Sequence, residues 1–525
     1  MSHRNILLFG IFFYSVINVF SQDSGPLVFK FGTNASDYGV KCETVLPEDH
    51  RDVSYGMTGA VLKNTTFCTT QESFAFWVTL PEGNYRIKVV VGNKSGISTN
   101  TIKAESRRLM VYNYTTESGK IDTVEFIVNI RRPAISTGGS ISLKTREYPY
   151  LNWDRFLTLE FAGTGPCIRE LSIEEADVPT IFLAGNSTVV DQEVEPWASW
   201  GQMFPLYLKP EVSVANFAES GESLMSFEAE YRLKKVQSQI GTGDYLFSEF
   251  AHNDQKTGIY YVEPYTTYQE YLLKFANIAR NAGATPVFVT STNRRSFDTD
   301  GNIVNTLGDY PAAMRDLSGE ESIFLVDLND MSKSLFEALG TEGSKQAFVH
   351  FPADYFPWGN DALADNTHFN TYGAWQLAKC VVEGIRSSDS PLKAFLKDDV
   401  EAYDPGIPDA TDSWLWPLNI HESVKLADTL TTTFIQVEKE VSGSAVPGEM
   451  NSADPVFYPN PVSGQITFNA KGRGFVEIFA IDGKKILEKE TDLQATLDVS
   501  FLPPGVYILH LRTEKGTIKG GMIKK

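Results

Sequence analysis

Four short blocks of this 525-residue chain hold the residue types that nucleophilic hydrolysis needs. The first is Gly185-Asn186-Ser187-Thr188-Val189, a serine two residues beyond the glycine that ends an apolar run from Ile181 to Ala184. A serine hydroxyl attacks only when a base takes its proton, an acid orients that base, and N–H donors receive the charge that builds on the attacked carbonyl oxygen. The base must come from seven histidines. His3, His50 and His510 lie outside the part of the chain that carries the serine, which leaves His252, His350, His368 and His421. His368 follows Asp365 by three residues. On one loop that spacing lets the carboxylate reach Nδ1 and fix the tautomer, leaving Nε2 for the serine proton. Two further blocks, Ala218-Glu219-Ser220-Gly221-Glu222 and Phe250-Ala251-His252-Asn253-Asp254, offer donors. A glycine lets a backbone N–H approach an oxyanion closely, and an asparagine amide supplies another N–H. Taken singly, each feature has an ordinary explanation, Ser187 as a helix cap and Gly221 as a turn among them. All four in this order, each at the end of a successive or final strand, are hard to reach by chance.

The elements that must position these blocks are readable between residues 178 and 388. Apolar strands at Ile181–Ala184, Val212–Asn216, Asp244–Phe247, Pro286–Thr290 and Ile323–Asp327 alternate with helical patterns near 197–208, 222–236, 265–282, 310–318, 331–339 and 371–386. Such alternation predicts a parallel sheet with helices on both faces, and ligands in such sheets bind beyond the carboxyl ends of the strands. Val189 stands where the nucleophile elbow of the α/β-hydrolases would need its second glycine, so a flavodoxin-like sheet is expected instead. Residues 25–176 read as all-β, a sandwich or jelly roll, from period-2 runs such as Tyr85–Val91 and Val124–Ile130. Residues 389–450 read as a packed tail with Trp414 and Trp416 followed by a linker, and 451–525 as a second, small β-sandwich. At the amino terminus, Met1–Arg4 followed by the apolar Ile6–Phe20 predicts a secretory signal over residues 1–21, with Val19 and Ser21 at the small-residue positions.

Composition narrows the partners. The formal net charge is −20 and no Lys/Arg-rich block is present, which argues against nucleic acid and against anionic membranes. No stretch reads as a membrane span. Export makes disulfides possible for the four cysteines, Cys42, Cys68, Cys167 and Cys380, and Cys42 can pair with Cys68 among three possible connectivities. No Cys/His cluster has zinc-ligand spacing, so no metal is expected.

The four blocks resemble those of the SGNH, or GDSL-like, hydrolases, in particular bacterial rhamnogalacturonan acetylesterases of carbohydrate esterase family twelve. The likeness extends to Trp200-Gly-Gln-Met203, Ala218-Glu-Ser-Gly-Glu-Ser223, Thr290-Ser-Thr-Asn-Arg294-Arg295, Val304-Asn-Thr-Leu-Gly-Asp-Tyr310 and Thr371-Tyr-Gly-Ala. The resemblance implies a central α/β hydrolase domain over 178–388 behind a galactose-binding-like β-sandwich over 25–176. It implies Ser187 as nucleophile, His368 as base and Asp365 as its orienting acid. The oxyanion hole would be the Ser187 and Gly221 N–H groups with the Asn253 amide. No cofactor is needed for that chemistry. The implied substrate is an acetylated plant cell-wall polysaccharide, foremost rhamnogalacturonan, with xylan or another acetylated glycan as the alternative. A carbohydrate-binding protein with a weakened esterase domain is the alternative of another class. Two departures stand out: Asn186 replaces the usual Asp, and Ala251 the usual Gly. Arg294 and Arg295 are candidate partners for uronate carboxylates. Trp200 is a further candidate substrate contact, as is Trp358 in the aromatic stretch 350–358, which reads as a cleft wall. The block 451–525, with Tyr458-Pro-Asn-Pro-Val462 and Pro504-Gly-Val-Tyr507, is similar to a type IX secretion sorting domain. It implies passage through that machinery to the surface, or the outside, of a Bacteroidetes-type cell.

Overall fold

The apolar run before Ser187 is a strand, β1 (Thr180–Gly185), in a five-stranded sheet with β2 (Ser213–Asn216), β3 (Tyr245–Glu249), β4 (Thr285–Val289) and β5 (Phe324–Val326). All pairings are parallel and the order is β2-β1-β3-β4-β5, the doubly wound order of flavodoxin-like sheets. Burial on both faces explains the unbroken apolar run. Ile181 and Leu183 enter one core with α5 (Leu328–Gly343) and α6 (Thr371–Arg386), while Phe182 and Ala184 enter another. That second core is closed by α1 (Leu224–Ala229), α2 (Arg232–Gln237), α3 (Gln269–Asn281) and α4 (Tyr310–Glu321).

The structure, a computed structural model, describes residues 25–31, 43–45, 55–59, 68–69, 73–356, 361–417, 457–458, 464–468, 473–480, 485–492, 496–502, 505–513 and 516–524. The expected signal over 1–21, Cys42, Trp358 and His421 lie outside them. Cys167 and Cys380 are buried free thiols. Among the described residues no helix is long and apolar enough to cross a membrane.

Several elements differ locally from the sequence pattern. The helix expected over 197–208 is one α-turn, Trp200–Met203, followed by a 3-10 turn, Phe204–Tyr207, because Pro205 cannot donate to an α-helical ladder. The 222–236 helix is divided where Tyr231 turns left-handed with φ 63°. Asp365 and His368 sit not on a loop but on the strand Leu363–Phe369, which pairs antiparallel with Phe348–Phe351.

The amino-terminal region forms two antiparallel sheets around one core. In the first, Leu27–Lys30 and Gly83–Val91 flank Cys167–Glu175, and Asp122–Ile130 lies at the edge beside Gly83–Val91. The second orders Tyr55–Gly59, Phe74–Thr79, Phe156–Ala162, Ser98–Ala104 and Arg108–Thr116. Tyr85, Ile87, Val89 and Val91 point into the shared core with Phe29, Phe76 and Leu159, the period-2 face seen in the sequence. These sheets and the α/β sheet belong to one compact unit, Met1–Ile435. In the second unit, Gln436–Lys525, the described residues form a three-stranded and a four-stranded antiparallel sheet around Ile466, Val476, Ile478, Leu497 and Leu509.

Candidate active site

Ser187 follows the carboxyl end of β1 on a tight turn. Gly185 is required there: a Cβ would stand 2.5 Å from Val189 Cγ2 and 3.1 Å from the Glu249 carbonyl oxygen. The Asn186 side chain holds the turn, its Oδ1 accepting the Thr188 N–H at 3.0 Å and the Thr188 hydroxyl at 2.9 Å. An Asp would do this with the same atom, so the acceptor duty survives the substitution. Beneath the turn, Glu249 at the end of β3 accepts the Thr188 hydroxyl at 2.8 Å and the Trp200 indole N–H at 2.5 Å. Burial pushes the Glu249 carboxyl up to about 7 against those hydrogen bonds.

His368 arrives from the hairpin Phe348–Phe351 and Leu363–Phe369. Its strand is docked on the segment after Ser187 by the Ala198 N–H to Phe369 carbonyl bond of 2.9 Å, and Asn370 caps α6 through the Gly373 N–H. His368 Nε2 lies 2.9 Å from Ser187 Oγ, and Asp365 Oδ2 lies 2.7 Å from His368 Nδ1. Asp365 Oδ1 also accepts the N–H groups of Thr367 and His368 at 2.7 and 3.0 Å. Partial burial raises the Asp365 carboxyl, but these bonds outweigh it and hold it at about 2. The carboxylate is therefore ionised and fixes His368 with Nδ1 protonated and Nε2 turned to the serine. Ser187 keeps only 7 % of its surface exposed.

The two donor blocks meet beside this chain. Gly221, at φ 86°, occupies the turn after β2, where a side chain would be strained. Asn253 donates one N–H to the Glu222 carbonyl at 2.8 Å, tying the block after β3 to the residue after Gly221. Its amide has a second N–H. Lys256 donates to Asn253 Oδ1 at 2.7 Å and so fixes which end is the nitrogen. Asp254 is buried beneath, accepting the Leu224 N–H at the start of α1 at 2.8 Å, and burial raises its carboxyl to about 7.

The amino-terminal region builds part of this surroundings, which sequence reasoning missed. Lys144 donates to the Ser220 carbonyl at 3.0 Å and pairs with Glu222, while Arg146 donates to the same carbonyl and pairs with Glu219 at 2.6 Å. The Gly221 loop is thus clamped from outside the α/β sheet. Four residues beyond Ser187, the Asp191 side chain is fully buried between Arg108 at 3.1 Å and Arg131 at 3.3 Å, and it accepts from Asn216 Nδ2 at 2.8 Å. The available signal was the Arg107-Arg108 doublet at a strand start in an otherwise ordinary β region, a charge density that solvent alone does not demand.

The expected substrate contacts fare differently. Trp200 is 0 % exposed and bonded to Glu249, so it is core beneath the Ser187 turn and not a cleft wall. Arg294 donates to Thr306 and to the His252 carbonyl, and Arg295 to Ser344, Asn366 and the Thr341 carbonyl. Both are half-buried. In the 350–358 stretch, Phe351, Tyr355 and Phe356 pack on one another, with ring centroids 4.9 Å apart, and Tyr355 is exposed.

Comparison with known proteins accords with this geometry. The rhamnogalacturonan acetylesterase RhgT of Bacillus subtilis (strain 168) is 46 % identical over 218 residues, which are 41 % of this chain and 93 % of that protein. The chain belongs to the rhamnogalacturonan acetylesterase family. As a member of that family it is a carboxylic ester hydrolase. A second relative from the same organism, the probable rhamnogalacturonan acetylesterase YesY, is 34 % identical over 215 residues, 40 % of this chain and 94 % of its own length. The uncharacterized esterase YxiM, also from Bacillus subtilis, matches at 27 % identity over 352 residues, 65 % of this chain and 82 % of its own. Residues 456–525 match a secretion system C-terminal sorting domain. This family member is therefore addressed to the type IX secretion route, for the cell surface or the outside.

Proposed function

We propose that the chain is an exported serine esterase that removes acetyl groups from plant cell-wall polysaccharide, foremost rhamnogalacturonan. The observation that carries this reading is the hydrogen-bonded series Ser187 Oγ, His368 Nε2, His368 Nδ1, Asp365 Oδ2, at 2.9 and 2.7 Å. The substrate class rests on the names of the relatives, two of which are called rhamnogalacturonan acetylesterases.

In the proposed mechanism Ser187 Oγ attacks the acetyl carbonyl as His368 Nε2 takes its proton. Asp365, ionised, stabilises the imidazolium without taking a proton itself. The N–H groups of Ser187 and Gly221 and the free N–H of Asn253 receive the oxyanion. His368 then returns the proton to the departing sugar oxygen, and water hydrolyses the acetyl-serine by the same base. Asn186 serves the turn as an acceptor, so the neutral amide is compatible with an active site.

The proposed domain division is a signal over 1–21, a galactose-binding-like β-sandwich over 25–176, the hydrolase domain over 178–388, a tail and linker over 389–450, and the sorting block over 451–525, itself a small β-sandwich. Acetate release tests the reading. The parent is expected to cleave a chromogenic acetate ester and Ser187→Ala to lose turnover; retained turnover in that variant sinks the assignment. Acetylated rhamnogalacturonan set against acetylxylan decides the substrate, and faster release from xylan would move the reading to the alternative glycan.

A further inference from the structure

We infer that Tyr150 and Trp197 form the walls of a subsite that takes one pyranose ring of the glycan beside the scissile acetyl ester. A cavity of about 270 Å³ opens next to His368 and Ser220. Tyr150 reaches it from the segment joining the amino-terminal strands Asp122–Ile130 and Phe156–Ala162, and Trp197 from the segment that follows the nucleophile turn. Both rings are half-buried. Trp197 is anchored through its main chain, its carbonyl accepting from Arg107 Nη1 at 2.8 Å. Among the described residues, neither the Trp197 indole N–H nor the Tyr150 hydroxyl has a hydrogen-bond partner in the protein, whereas the buried Trp200 and Trp153 indoles do. Half-buried aromatic faces with unspent polar edges, around a small cavity, suit a ligand with C–H faces and hydroxyl edges. A pyranose ring has that chemistry.

The recognition is by ring face and hydroxyls and not by a uronate carboxylate. Arg146 is the only arginine or lysine among the described lining residues, and its charge is paired with Glu219 through Nε and Nη2, the second of which also donates to the Ser220 carbonyl. Glu193 also lines the cavity, so a carboxylate placed there would face negative charge. The amino-terminal region thereby becomes part of the substrate site and not an appended module. This inference rests on the esterase reading for the identity of the ring's ester but not for the ring's binding.

The test is calorimetric titration of a deacetylated rhamnogalacturonan oligosaccharide into the full chain carrying Ser187→Ala. Trp197→Ala and Tyr150→Phe are added in turn, the second deleting only the hydroxyl. Trp197→Ala should weaken Kd tenfold or more and Tyr150→Phe by a few fold. In the turnover-competent chain, the same changes should lower the ratio of kcat/KM for acetylated oligosaccharide over that for a chromogenic acetate by similar factors. Unchanged Kd and an unchanged ratio overturn the inference, as does a parallel fall on both substrates, which would mark a packing role. A parent that cleaves neither ester yet binds the oligosaccharide through Trp197 would refute the esterase reading and leave the subsite standing.

Discussion

Replacing Glu249 by Gln should make the folded chain less sensitive to alkaline pH. Glu249 is 1 % exposed, and its two oxygens lie 2.8 Å from the Thr188 hydroxyl and 2.5 Å from the Trp200 indole nitrogen. Burial raises its carboxyl from 4.5 to about 7. The folded state thus binds this proton more tightly than the unfolded state does. Its contribution to stability is full below pH 4.5 and is lost as pH rises through about 7. The gap of 7 − 4.5, about 2.5 units, corresponds to about 3 kcal/mol. A glutamine reproduces the protonated acid. Its carbonyl accepts from Trp200, and its amide donates to the Thr188 oxygen, which in turn donates to Asn186 Oδ1. The assay is urea unfolding of the full chain, parent and Glu249→Gln, followed by tryptophan fluorescence from about pH 4.5 to about pH 8. The variant should gain about 3 kcal/mol on the parent across that range. Two curves that stay parallel would refute the reasoning, because they would mean that Glu249 ionises without cost in the folded chain.

Asp365→Asn leaves the His368 ring without its ionised partner and should lower kcat on the order of 10⁴-fold, as loss of the orienting acid does in other serine hydrolases. Because Asp365 is held at about 2, it stays ionised from pH 5 to 9 and adds no titration step of its own to the parent's rate profile there. Asn253→Ala should cost roughly 10²–10³ in kcat with KM little changed, the signature of a donor that acts on the developing oxyanion. Asp191→Asn removes the carboxylate that buried Arg108 and Arg131 share, and denaturant unfolding should show a loss of about 3–5 kcal/mol.

Much of the hydrolase sheet was legible because it obeys local rules. The run Ile181–Ala184 is apolar at every position because both of its faces are buried, and α6 spans Thr371–Arg386 as its periodicity indicates. The Ser187, Gly221 and Asn253 blocks were legible because strands in this order deliver their carboxyl ends to one edge. What escaped was decided by distant partners. Asp365 and His368 look like loop residues until Phe348–Phe351 pairs with them. Trp200 reads as a surface aromatic until Glu249, 49 residues away, takes its N–H. Lys144, Arg146 and Tyr150 lie in a region whose pattern predicts only sheets, and no local signal couples them to residues 187–222.

The charges around the cleft bear on how a chain at −20 could work on an acidic glycan. Like charge repels such a polymer at long range, so attraction has to come from cations within a screening length of about 10 Å. Arg146 is neutralised by Glu219. Arg294 and Arg295 differ: the hydrogen-bond partners of their guanidinium groups are carbonyl, hydroxyl and amide oxygens, and the carboxylate that Arg295 feels, Glu342, acts on it without a hydrogen bond. Two half-buried arginines of this kind offer a positive field more than a bidentate clasp, since their N–H groups are already directed at the protein. A field is screened by salt, whereas stacking on Trp197 and Tyr150 is not. Binding of an acidic oligosaccharide should therefore weaken with ionic strength only in the part owed to Arg294 and Arg295. The ring-face contribution should persist in high salt, so titration at two ionic strengths separates the contributions, and complete loss in salt would assign the recognition to charge alone.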